Sequence, residues 1–441
     1  LPNLSLPPVV ERVDAELSER LPPSHGDIGA PPVVSTLHDQ RVAALLGAGL
    51  GLAFTICFVT GMYSHFEQHP VSWLPIPTEP AGLYRVTQGV HVATGIASIP
   101  LLFAKLWAVW PRFFAWRPVT GVAHAVERLS ILPLVGGALF QVCTGVPNLF
   151  HWYWFRFDFT AAHYDMSYVL IGALVSHLLA KWTITRSVLA RTHPSLADPV
   201  VRQGQLVGQG QLVGQGQLAG QGQLVTGLDS GPAPAASADR ALLTRRGLLW
   251  TVGTASVALT VATVGETVRP LAFVDLLAPR RPGTGPQGLI VNRSAQEAKV
   301  THLPAEIASY RLRIAGPGTS RTLSLDIDQL RGMTQHQTTL PISCVEGWSI
   351  NADWEGIKMA DLLDAAGARH GATVRVVSLE KKGAYKTSTL NHDQARASNT
   401  LLAMRVNGAE LDIQHGFPLR LIAPNRPGVL QTKWVGQLVI S

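Results

Sequence analysis

Apolar residues along this chain come in long runs over the first 270 positions and in many short ones after about position 285. Four runs, 42–63 ("VAALLGAGLGLAFTICFVTGMY"), 86–108, 122–149 and 163–185, exceed the roughly 20 helical residues that cross a hydrocarbon layer about 30 Å thick. Short linkers join them, which predicts an up-and-down transmembrane four-helix bundle. A fifth run, 247–264 ("GLLWTVGTASVALTVATV"), predicts one more helix, an anchor. From 285 onward the runs shorten to "YRLRIAG", "TLSLDI", "TVRVVSL", "LLAMRVNG", "FPLRLIA" and "VGQLVIS", with turn signals between them. That texture reads as strands, with one helix at "MADLLDAAGA", and predicts a soluble α+β domain over 285–441.

The segments between these blocks carry no such pattern. Residues 1–37 are rich in Pro and charge and read as a cytoplasmic tail that is ordered only against a partner. Residues 203–225 repeat every six positions ("QGQLVGQGQLVGQGQLAGQGQLV"). A hexapeptide period suits a parallel β-helix, but four copies dominated by Gly and Gln bury no core. With "SGPAPAAS" behind them they read as a flexible linker. The expected organisation is a tail (1–37), a four-span domain (38–190), a Gly/Gln and Pro/Ala linker (191–243), a fifth helix with its flanks (244–268) and the α+β domain (285–441).

Composition supports the membrane reading. The chain is 46% hydrophobic and only 15% charged, too apolar for an ordinary soluble enzyme of 441 residues. Its formal charge of +7 raises nucleic acid as a partner, but the basic residues sit at the ends of apolar runs and form no patch. No nucleic acid is expected. Lys105, Arg112 and Arg117 lie around the loop between runs two and three, and Lys181, Arg186 and Arg191 follow run four; the opposite loops hold only Arg85 and Arg156. By the positive-inside rule the amino terminus and the end of the fourth run are cytoplasmic. Arg245 and Arg246, directly before the fifth run, resemble a twin-arginine export signal inside the chain. Alternatively they anchor a helix on the inner face. Either way a multi-pass protein of the cell membrane is expected, with residues 285–441 extracytoplasmic. No small-x-small cleavage site follows, so the fifth helix should persist.

Histidine within a span is costly and usually functional. His163 and His177 are fourteen residues apart on run four, nearly four turns, so both face one way about 21 Å apart along the axis. That spacing suits a helix serving two stacked b haems. His91 lies six residues after Arg85, and His163 seven after Arg156, so the two share a depth and pair as axial ligands of an outer haem. His124, seven residues after Arg117, pairs with His177 for an inner haem; His38 competes for the inner position and His65 for the outer one. The region 40–185 resembles the di-haem cytochrome b subunits of formate dehydrogenases and nickel–iron hydrogenases, specifically at "HYDMSYVLIGALVSH" and "YRVTQGVHVATG". It departs from them in run one, where those families place a ligand at the depth of Gly47. The resemblance implies two b haems and exchange of electrons with quinone.

Of three cysteines, Cys57 and Cys143 lie in apolar runs and read as small buried residues. Cys344, in "LPISCVEGWS", has no evident partner, and a soft thiolate suits a transition metal. The stretch "LPISCVEGWSINADWEGIKMADLLDAAGA" and the closing "LLAMRVNGAELDIQHGFPLRLIAPNRPGVLQTKWVGQLVIS" resemble the molybdopterin domain of the sulfite-oxidase superfamily. The resemblance implies a molybdenum–molybdopterin cofactor with Cys344 as the protein ligand to the metal. It implies Arg420 and Lys433 on the pterin phosphate, with His415, Gln431, Thr432, Asn292 and Ser378 in the same cradle. Sulfite oxidases follow their cysteine with a basic cluster, whereas Glu346 and Trp348 follow this one. An acid and an indole suit a neutral oxide better than an anion. "CVE.WS" is more similar to bacterial protein-methionine-sulfoxide reductases, with Glu346 a proton donor or a structural turn carboxylate.

The expectation is a membrane-anchored molybdenum oxidoreductase linking the quinone pool, through b haems, to an S- or N-oxide such as free or protein-bound methionine sulfoxide. A sulfite dehydrogenase and a non-catalytic electron conduit are the alternatives. A homo-oligomer or a separate redox partner stays open.

Overall fold

The computed structural model describes residues 40–71, 73–113, 122–190, 244–265, 267, 269–278, 280, 283–381, 383 and 385–441. The expected tail 1–37, His38 and the linker 191–243 lie outside the described residues, as does the side chain of His124. Five long helices form from the apolar runs: α1 (Gln40–Gln68), α2 (Leu83–Phe113), α3 (Val122–Phe150), α4 (Phe159–Ala190) and α5 (Arg245–Val264). Among the described residues, four stretches, Gln40–Gln68, Leu83–Trp110, Leu129–Phe150 and Arg245–Val264, are long and apolar enough to cross a membrane. The fourth run forms α4, a helix of 32 residues whose apolar sequence is interrupted by His163, Asp165, His177 and Lys181.

Leu50 and Phe54 of α1, Leu102 of α2, Ala138 of α3 and Leu170 and Leu174 of α4 meet in one cluster, so these four helices share a core. A second cluster joins Val42 and Leu46 to Ala108 and Val252, which seats α5 against α1 and α2. Large apolar side chains also point outward, among them Leu52, Phe103, Leu132, Leu179 and Val257. Water would penalise that surface, whereas lipid accepts it. Thr244 caps α5 by accepting from the Gly247 N–H at 3.0 Å. Arg245 and Arg246 then begin the helix at its positive dipole end, where cations are unfavourable. Helix electrostatics therefore do not account for the arginine pair.

The remainder is the expected α+β domain. One sheet has the order β2 (Leu323–Leu325), β1 (Leu312–Ala315), β10 (Val435–Ile440), β5 (Val374–Ser378), β6 (Thr387–Leu390). A second runs β3 (His336–Ser343), β4 (Ser349–Lys358), β7 (Leu401–Val406), β8 (Ala409–Glu410), with β9 (Arg420–Ile422) also on β7. β1 and β10 are parallel, which joins the end of the domain to its first strand, and the other pairs are antiparallel. The larger core includes Ile314, Leu362, Val376, Leu421 and Leu438. A smaller core encloses Ile342, Cys344, Trp348, Ile350 and Trp354, so the thiol lies in apolar packing at the end of a strand.

This domain sits on one end of the helical region through two of its loops. Asn425, in a left-handed conformation (φ 48°), accepts from the Tyr84 N–H at 2.7 Å. Its amide donates to the Tyr63 hydroxyl, the Glu67 carboxylate and the Pro77 carbonyl at 3.0, 3.0 and 2.6 Å. Arg85 donates to Asn351 at 2.9 Å. The second loop is the one that follows Cys344.

Candidate active site

β3 and β4 pair from His336 opposite Gly356 to Ser343 opposite Ser349, and the connection between them begins with Cys344. The turn is closed by the Cys344 N–H donating to the Trp348 carbonyl at 2.9 Å and the Gly347 N–H to the Cys344 carbonyl at 3.1 Å. Gly347 has φ +104°, a region that costs an L-residue strain. A Cβ there would also lie 2.8 Å from Val92 Cγ2 on α2. Gln88, one turn earlier on α2, donates to the Val345 carbonyl at 2.6 Å, and Thr267, just beyond α5, donates to the Gly347 carbonyl. The turn that carries the thiol is thus clamped to the helix that carries His91.

Cys344 is 1% exposed. Burial pushes its thiol well above the ordinary range and the Glu346 carboxylate adds to this, while the Glu346 N–H and the Asn292 amide oppose it. Asn292 Nδ2 donates to the sulfur at 2.9 Å. A thiol in such a place ionises when a metal cation supplies the compensating charge.

A cavity of about 110 Å3 adjoins the turn, and its lining includes the polar residues Asn292, Arg420, Gln431, Thr432 and Lys433 and the apolar residues Trp348, Ile290, Ile342 and Val429. Arg420 is buried, donates to the His415 carbonyl at 3.1 Å, and lies 5.4 Å from the ring centre of Trp354. Burial pushes its guanidinium down to about 9, which leaves it charged at neutral pH. Lys433 donates to the Arg293 and Gln414 carbonyls at 3.0 and 2.7 Å. Burial, then Arg420, bring its ammonium down to about 7. Arg420 Nε and Gln431 Oε1 are buried with no hydrogen-bond partner among the described residues. A buried guanidinium N–H without a partner and two crowded basic side chains beside a cavity are costly unless an anion occupies it. The phosphate of a pterin cofactor would fit there, with Arg420 and Lys433 holding it and Asn292 orienting the sulfur ligand.

His415 lies behind Arg420, with Nε2 2.7 Å from the Pro286 carbonyl and Nδ1 without a partner among the described residues. Burial, then Arg420, lower it to about 4, so it is neutral at pH 7. Ser378 is committed to backbone, donating to the Lys433 carbonyl at 2.8 Å and accepting from the Glu380 N–H at 3.0 Å. It fixes Lys433 and is absent from the cavity wall. Glu346 faces the helical region: its carboxylate is 2.5 Å from His151 Nε2, 3.5 Å from Arg280 Nε and 3.2 Å from the Trp348 indole N–H. His91 and His163 come together, with ring centres 6.2 Å apart and planes at 75°. His91 Nδ1 is 2.9 Å from the Cys57 carbonyl, and His163 Nδ1 is 2.9 Å from the Thr144 hydroxyl. His65 instead stacks between Tyr164 and His69, with ring centres 3.7 and 4.5 Å away.

Sequence reasoning missed Tyr385, Arg293 and Glu380, which complete the cavity wall. Arg293 and Glu380 form an ion pair there. The Tyr385 phenol is pushed up by burial, with Asp158 and Cys344 adding to it. A tyrosine in the polar turn "GAYKTS" was the one available signal.

Residues 299–441 match the family model for the oxidoreductase molybdopterin binding domain. The chain is 33% identical over 171 residues to sulfite oxidase from Gallus gallus, covering 32% of this chain and 37% of that protein. It is 27% identical over 131 residues to the uncharacterized oxidoreductase YuiH of Bacillus subtilis (strain 168), covering 30% and 64%. The crystal structure of the sulfane dehydrogenase SoxCD from Paracoccus pantotrophus aligns at 23% identity over 30% of this chain and 38% of its own, with a TM-score of 0.28, too low to bear on the fold. The chain therefore spans about a third of the length of the sulfite oxidase it matches and adds a helical region outside the match. Its C-terminal part is an oxidoreductase domain, a molybdopterin-binding domain of the sulfite oxidase family.

Proposed function

We propose that this chain is a membrane-anchored molybdenum oxidoreductase that exchanges electrons between the quinone pool and an S- or N-oxide on the far side of the membrane, by way of b haem held in its helical region. The observation that carries this reading is the clamp between the Cys344 turn and α2, through Gln88, Val92 and Thr267. The turn that carries the metal ligand is then held against the stretch of α2 that carries a haem-ligand candidate, so a soluble carrier between them is unnecessary.

The histidine pair fits a haem iron. Two metal–imidazole bonds of about 2.0 Å, with about 1.1 Å from each nitrogen to its ring centre, put the centres roughly 6.2 Å apart, as His91 and His163 are. Hydrogen bonds at both Nδ1 atoms leave Nε2 as the ligating atom and fix the rings. Gly61 and Gly145 lie against the two imidazoles, where added Cβ atoms would sit 3.0 and 3.3 Å from Cε1. Haem would supply one-electron relay, and molybdenum at Cys344 two-electron oxygen-atom transfer. The second, inner haem between His124 and His177 remains part of the proposal.

The oxide reading rests on the apolar part of the cavity wall, to which Trp348, Ile290, Ile342 and Val429 contribute. An S-oxide presents an apolar body and one polar oxygen, which such a wall accommodates. Glu346, held by His151 and Arg280, acts as a structural carboxylate rather than a free acid. A second reading, sulfite dehydrogenase, is favoured by Arg280, which brings a guanidinium to the Cys344 turn, and by the sulfite oxidase relatives. The test reduces membranes containing the chain anaerobically with a quinol and then adds methionine sulfoxide or trimethylamine N-oxide. Reoxidation of the haem bands by an oxide is expected. Haem bands that no oxide moves, but that sulfite reduces from the oxidised state, would overturn the oxide reading in favour of the second.

A further inference from the structure

The chain does not leave the end of α5 toward the C-terminal domain directly. After Val264 it reverses, forms a short 3-10 segment (Arg269–Val274), and returns until the Leu277 N–H donates to the Ala262 carbonyl at 2.8 Å. The reversal is tight: a Cβ on Gly265 would lie 2.5 Å from Asp275 Cβ and 2.7 Å from the Leu271 carbonyl oxygen. Leu277 is therefore level with a residue inside the last turn of a membrane-length helix. The polarity of the segment is inverted for water. Asp275 is buried, while Phe273 and Leu276 are 82% and 77% exposed.

A second exposed apolar stretch lies beside it. The short connection from α3 to α4 carries Trp152, Trp154 and Phe155, all more than half exposed. Arg280 ties the two stretches together through His151 Nδ1, at 3.0 Å. Tryptophan at the ends of spans marks the boundary between headgroups and acyl chains.

We infer that residues 269–277 form a re-entrant anchor that inserts Phe273 and Leu276 into the phospholipid leaflet nearest the C-terminal domain. The inference rests on the reading of α5 as a membrane span. Lipid is the occupant because the hydrogen bond to Ala262 sets the segment at the depth of the helix end, and because the adjoining loop has the composition of a lipid boundary. The anchor also has a use at the active site. Arg280 lies three residues beyond Leu277, and a segment fixed in the leaflet holds its guanidinium against Glu346, behind the Cys344 turn.

The test uses the full chain in phosphatidylcholine–phosphatidylglycerol nanodiscs, in a Cys57→Ala, Cys143→Ala background. Nitroxide labels are placed one at a time at Phe273→Cys and Leu276→Cys. Leu52→Cys on the outer face of α1 serves as the lipid reference and Asp328→Cys on the C-terminal domain as the water reference. Collision rates with oxygen and with a water-soluble nickel chelate are compared. The oxygen-to-nickel ratio at 273 and 276 should match that at 52 and exceed that at 328 several-fold. A ratio equal to that at 328 would overturn the anchor, and so would dipolar broadening between labels on different molecules, which would mean that a second copy covers the segment. If the label at 52 also behaves as water-exposed, the membrane reading itself fails with it; lipid at 52 with water at 273 removes only the anchor.

Discussion

Lys433 shows how the chain prepares for an anion at the level of one side chain. Its ammonium donates to two carbonyls, yet burial and the neighbouring Arg420 bring it down to about 7 from an ordinary 10.5. The folded, cofactor-free protein therefore gives up this proton about three units before the unfolded chain does. Below pH 7 both states are protonated and the cost of burying the charge is carried in full. Between pH 7 and 10.5 the unfolded chain binds more protons, so stability rises with pH, with a slope approaching about 1.4 kcal/mol per unit for one proton. The melting temperature of cofactor-free protein should climb between pH 7 and 9, and Lys433→Met should flatten that climb. A wild-type profile as flat as the variant's would show that the ammonium is not destabilised.

At the scale of elements, the decisive contact is between a turn and a helix. Gly347 takes a conformation that an L-residue adopts at a cost, and it has no room for a Cβ against Val92. Gly347→Ala should therefore cost about 1–3 kcal/mol from backbone strain alone, and should lower the melting temperature of the domain that contains Cys344. A variant as stable as wild type would mean that the turn does not bear on α2. The helices themselves were legible in the sequence, because runs of apolar residues longer than a bilayer is thick have few other solutions. Strands β1, β5, β7 and β10 were legible from β-branched runs between turn signals. What the sequence hid was the docking. Gln88 and Val345 are 257 positions apart, and Asn425 and Tyr84 are 341 apart. Each is an ordinary residue whose role exists only after both parts fold. The partners of Glu346 were hidden for the same reason: beside a cysteine it reads as a proton donor or a turn carboxylate, and His151 and Arg280 reach it from other segments. The arginine pair before α5, by contrast, keeps both of its sequence interpretations, since neither depends on a contact.

For the whole molecule, the consequence is that the domain of the sulfite oxidase family meets the helical region with the face that bears its cysteine. Tyr63, Glu67 and Tyr84 grip one cavity loop through Asn425, while Gln88, Thr267, His151 and Arg280 grip the other. Two cofactors held on either side of that face would lie within one rigid frame. The most direct measurement is the metal content of the purified chain, produced in cells that make the pterin cofactor, with molybdenum and haem iron determined on the same preparation. Both metals are expected together, with the outer haem lost in His91→Leu and the inner haem and molybdenum retained there. Iron porphyrin without stoichiometric molybdenum, or molybdenum without any haem, would contradict that expectation.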